Sequence, residues 1–159
     1  VSDALGRETD DVAAILPLVY LPASDTVSII YRVAAGTLQE RRVSTDGSIS
    51  EAVSVTEQAV VQNAVDSDQT GADAIADGNR VQLLFIADDS RHIYHTYSDE
   101  AGHWQPATLQ VDGINGQWVR GMRINAAGTG PVYGYVYDAG ADGGSGKNRY
   151  GEIPLADLP

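Results

Sequence analysis

Apolar residues in this chain recur in short runs or in alternation, and almost never at helical spacing. Along an extended strand, successive side chains point to opposite faces, so alternation marks a strand with one buried face. Runs of this kind occupy residues 12–21, 27–33, 37–44 and 49–55. A second set occupies 72–76, 81–87, 92–98 and 104–111, and a third 117–124, 132–138 and 149–155. Between them stand short segments rich in Gly, Asp, Asn and Ser, such as "TDGS", "DGNR" and "DDSR", the chemistry of tight turns. The best helix candidate, residues 57–64 ("EQAVVQNA"), is short and valine-rich, and an outer strand suits it at least as well.

The sets repeat. Val27, Val81 and Val132 begin the second run of each, giving spacings of 54 and 51 residues. A period near 50 with four strands per unit is that of a β-propeller blade, an antiparallel meander that buries its faces only by stacking on its neighbours. The expected fold is therefore all-β: a β-propeller segment of about three four-stranded antiparallel blades, at 12–55, 72–111 and 117–155, forming one unit over 1–159. The third set ends after its third strand, and "VSDALGRETDDV" makes a poor fourth. Three blades leave exposed faces, so the ring is expected to be completed by further blades of the same precursor or by a second copy. The start without Met and without an apolar signal core suggests processing, and with it a secreted or extracellular location.

In the second set, "NRVQLLFIADDSRHIYHTYSDEAGHWQPATL" resembles the repeat of Aleuria-type fucose-binding lectins and, more loosely, that of sialidase-like propellers. The shared features are an aliphatic and aromatic strand, an acidic turn, an Ile-aromatic strand and a Trp opening the outer strand. "VSIIYRVAAGTLQERRV" fits the first half of the same repeat. The resemblance implies sugar pockets between adjacent blades, each with an Arg on the second strand, a Glu on the third and a stacking aromatic. Glu40 stands at the Glu position of the first set, with Ser28 where the Arg belongs. In the second set the two positions hold Gln82 and His95, and Trp104 matches the Trp. No Arg–Glu pair is present, which argues against fucose itself.

Charge narrows the partners. Acidic residues number 22 against 10 basic ones, for a net charge of −12, and Lys147 is the sole lysine. A nucleic-acid backbone is not expected as a partner, since its affinity comes from neutralising cations. No apolar run approaches the length of a membrane helix. There is no cysteine, so neither disulfide nor thiol chemistry is available. The expected partner is a glycan or another small molecule.

Candidate chemistry follows from alternation. His95 and Tyr97 share one strand face, a plausible general base and acid, and both could equally be packing residues. His92 and His95, three apart on a strand, face opposite sides, so no metal site is expected, and no cofactor either. Trp118, Arg120 and Met122 would share a face on which Trp stacks and Arg holds a polar group. The candidate ligand-binding residues are thus Glu40, His95, Tyr97, Trp104, Trp118 and Arg120. The leading expectation is a lectin-like binding module. The alternative is an enzyme on the same scaffold, a polysaccharide lyase using His95 and Tyr97 or a cyclase of secondary metabolism. A structural or protein-interaction propeller is the third.

"YDAGADGGSGKN", residues 137–148, resembles a phosphate loop only superficially. Asn148 follows Lys147 where Ser or Thr is needed, and a strand follows instead of a helix. It reads as an enlarged hairpin, residues 139–147, placed to act as a lid over a pocket.

Overall fold

A computed structural model describes residues 15–62, 71–114, 116, 118–126, 128, 130–140, 148–156 and 158. Residues 12–14 of the first expected strand, 63–64 of the helix candidate, Gln117, and 141–147 of the glycine loop lie outside the described residues.

The described chain is built from eleven strands: β1 (Ile15–Leu21), β2 (Thr26–Arg32), β3 (Leu38–Ser44), β4 (Val53–Ser54), β5 (Ala72–Asp77), β6 (Arg80–Ile86), β7 (Ile93–Tyr97), β8 (Thr108–Val111), β9 (Val119–Ala126), β10 (Gly130–Asp138) and β11 (Asn148–Pro154). They form three antiparallel sheets, ordered β1-β2-β3-β4, β5-β6-β7-β8 and β9-β10-β11. Each strand pairs with its sequence neighbour, the meander that short turns dictate. No helix occurs among the described residues, so none there is long and apolar enough to cross a membrane. The first strands lie together, with β5 packed against both β1 and β9. Three such sheets side by side are consistent with part of a β-propeller.

Two strands fall short of their expected extent. Of residues 49–55, only Val53–Ser54 pairs as a strand, apart from an isolated bridge from Ile49 to Val43. The Ser50 side chain takes the Arg42 N–H, a position that a strand partner's carbonyl would otherwise fill. Of residues 104–111, Trp104 makes one bridge to Ser98 and pairing resumes only at Thr108. Pro106 lies between, with no N–H to give. The described part of the helix candidate is neither helix nor strand. It contributes one bridge, Val60 to Ala87.

The core forms two seams. Between the first and second sheets, Val19, Leu21, Ile30 and Leu38 meet Val81, Leu83 and Phe85. Between the second and third, Leu84, Ile86 and Ile93 meet Tyr133, Tyr135 and Tyr137. β6 therefore serves both seams, one with each face. That is why "RVQLLFI" reads as a continuous apolar run where half-buried strands alternate.

The odd spacing of 51 residues has a structural effect. Side chains alternate with a period of two, so an odd offset exchanges the faces. Val81 faces the sheet before it, but Val132 does not; Tyr133 does. Gly121, opposite Tyr135 in the ladder, makes room for the Tyr133 ring, since a Cβ there would overlap it.

The sheet faces turned away from the second sheet carry exposed apolar side chains. Leu18 (64%) and Tyr20 (55%) lie on one, Met122 (65%) and Tyr150 (54%) on the other.

Candidate functional site

Ser28 and Glu40, the two positions of the lectin-like pattern in the first set, meet. Ile30 pairs with Glu40 across β2 and β3, which puts Ser28 and Glu40 on one face. Ser28 Oγ donates to Glu40 Oε1 at 2.6 Å. Arg42 Nε donates to the same oxygen at 2.9 Å, and Trp104 Nε1 donates to Oε2 at 2.9 Å from the second sheet. Glu40 is 1% exposed, so its carboxylate is tolerable only because these donors replace its water. Arg42 also crosses the seam, donating to Ser98 Oγ. Glu40 is thus a fastener of the seam, with no open lone pair facing solvent, and Arg42 rather than a second-strand Arg is its ionic partner.

The equivalent pair of the second set meets as well. His95 Nε2 and Gln82 Oε1 are 2.9 Å apart, both side chains buried. His95 faces the second seam, stacked beside Tyr97 at 6.1 Å and edge-on to Tyr133 at 6.3 Å. Burial pulls its pKa from the usual 6.5 down to about 4, so it is neutral at physiological pH. Gln82 Nε2 has no hydrogen-bond partner among the described residues.

Nearby, Asp73 on β5 accepts the Gly121 N–H at 2.6 Å, and its carbonyl accepts the Tyr133 hydroxyl at 2.9 Å. Burial raises the Asp73 pKa, opposed by the N–H groups of Gly121 and Ala74 and by the Arg120 charge. Burial likewise raises the Tyr133 phenol.

The six residues singled out by sequence therefore fall in three places. Glu40 and Trp104 come together across the first seam. His95 and Tyr97 lie in the second. Trp118 stands just before β9, its carbonyl accepting the Asp138 N–H, and Arg120 is exposed on β9.

One opening among the described residues lies beside the Glu40–Trp104 contact. It is a cleft of about 350 Å³, with residues 54–58 of the first sheet's outer edge on one side and 104–107 of the second on the other. The volume is within the range of small-ligand sites. Its walls lie where the outer strands stop pairing, after Ser54 and before Thr108. β4 ends at Ser54; Val55 and Thr56 are buried, with Thr56 Oγ accepting the Leu38 N–H and donating to the Gln58 carbonyl, and Glu57 and Gln58 are exposed. Pro106 holds the opposite edge away from pairing. The Trp104 ring is partly exposed in the cleft, with its N–H committed to Glu40.

Sequence reasoning found Trp104 but missed Ser54, Glu57, Gln58 and Gln105. They lie about one repeat from Trp104 or in an interrupted strand, and no local pattern marks them.

A second, wider hollow of about 540 Å³ lies on the first sheet alone, against residues 33–35, Tyr31, Gln39 and Arg41. Its aromatic, Tyr31, is 3% exposed and ties its hydroxyl to Gln39, so it offers no stacking face.

The chain matches no known protein-family model and no curated protein.

Proposed function

We propose that the chain is a lectin-like binding module that takes a carbohydrate in the cleft between its first and second sheets. The observation that carries this is Trp104. Its ring is fixed from behind by the Glu40 hydrogen bond and bounds a cleft otherwise lined largely by polar groups. A sugar ring has apolar faces that stack on an aromatic and hydroxyls that need hydrogen-bond partners at its edge. Gln58, Gln105, Ser54 and Glu57 are the candidates to supply them.

The buried, neutral His95 and its tie to Gln82 support a packing role for that pair, so the binding reading is preferred to a catalytic one. The exposed apolar faces of the first and third sheets support a further proposal, that additional sheets pack there, from the same precursor or a second copy.

The test is calorimetric titration against a panel of mono- and oligosaccharides, with wild type and Trp104→Ala. Binding that Trp104→Ala weakens at least about tenfold is expected, from the size of a lost aromatic stack. Absence of binding across the panel, by a protein with intact near-UV circular dichroism, would sink the proposal.

A further inference from the structure

We infer that the cleft selects carbohydrates bearing an ammonium group, the amino-sugar class, over acidic and N-acetylated ones. The inference rests on the carbohydrate reading above and sharpens it.

Among the residues lining the cleft, Glu57 alone carries a charge, and it is exposed. No Lys, Arg or His is among them. Arg42, the cation of the Glu40 network, is not among the cleft residues and is engaged by Glu40 and Ser98. His103, the neighbour of Trp104, is paired with Asp99. A uronate or other acidic sugar would therefore meet Glu57 without a countercharge.

Trp104 adds a second, independent preference. Indole is the aromatic face that best attracts a cation. Its N–H donates to a buried carboxylate, a hydrogen bond that pushes electron density back into the ring and makes its face more negative. A carboxylate on one wall and an electron-rich indole on the other suit an ammonium between them.

The test uses a β-linked glucosamine trisaccharide, its fully N-acetylated counterpart and a galacturonate trisaccharide, titrated at low and high salt against wild type, Glu57→Gln and Trp104→Phe. The amine-bearing probe is expected to bind about tenfold tighter than the N-acetylated one at low salt, with the margin shrinking at high salt. Glu57→Gln should remove most of that margin, weakening the amine-bearing probe more than the N-acetylated one. Trp104→Phe, which keeps a ring but loses the tie to Glu40, should weaken the amine-bearing probe more than the neutral one. Equal or tighter binding of the N-acetylated or acidic probe overturns the inference and leaves the carbohydrate reading standing. Binding of none of the three, together with a blank saccharide panel, overturns both.

Discussion

The indole of Trp104 donates across the first seam to the buried carboxylate of Glu40 at 2.9 Å, joining residues 64 apart in sequence. The same carboxylate is held by Ser28 and Arg42 from its own sheet. Glu40→Ala is expected to cost about 3–5 kcal/mol, because it strands Arg42 and the other donors without a counterpart. Urea denaturation measures this. A double-mutant cycle with Glu40→Gln and Trp104→Phe should give a coupling of about 1–3 kcal/mol. Additive effects would show that the contact is not formed.

His95 gives a pH signature. Its folded pKa, about 4, lies below the unfolded value of 6.5, so the unfolded chain binds the proton first. Its contribution is fully present above pH 6.5 and is lost as pH falls toward 4. The loss is about 3 kcal/mol, from the size of that shift. Asp73, whose pKa is raised by burial, works in the opposite sense, its charged form being disfavoured in the fold as pH rises. Urea midpoints at pH 7, 5.5 and 4.5 should therefore be compared between wild type and His95→Gln. The wild-type slope should be steeper, and equal slopes would refute burial of a neutral imidazole.

Gly121 is committed to its seam by shape. A Cβ there would enter the Tyr133 ring, and its N–H serves Asp73. Gly121→Ala should destabilise by about 1–3 kcal/mol, the usual range for overpacking. Tyr133→Leu should absorb part of that cost, so the double variant loses less than the two single losses added together. Chemical denaturation of the four proteins decides it.

Met122 and Tyr150 test the outward face of the third sheet. Both are more than half exposed, so Met122→Asp and Tyr150→Asp should leave stability within about 0.5 kcal/mol. If further sheets pack there, the same changes should abolish concentration-dependent association in sedimentation velocity. Wild type that stays monomeric at high concentration would exclude a second copy as the packing partner.

The strands were legible because their signals are local. Alternation in "VSIIYRV" and the turn "DGNR" between β5 and β6 specify extended chain and reversal within a few residues. The strand ends at Ser50 and Pro106 were less legible, since there a side chain or a missing N–H breaks a ladder that apolar pattern alone extends. The positions compared with the lectin pattern meet in space, 28 with 40 and 82 with 95. Their burial was not visible, because Trp104 and Tyr133 reach them from other sheets.

By itself, then, the sequence determined an all-β meander in sets of four, four and three strands. The tertiary structure decided which face of each strand met which neighbour, down to the one-residue shift that puts Tyr133 rather than Val132 into the second seam. It also decided that Glu40 would be sealed beneath Trp104 and that the opening would form at the interrupted outer strands. The physical reason is range: strand and turn preferences act over a few residues, whereas a seam is chosen by burial between segments a whole repeat apart.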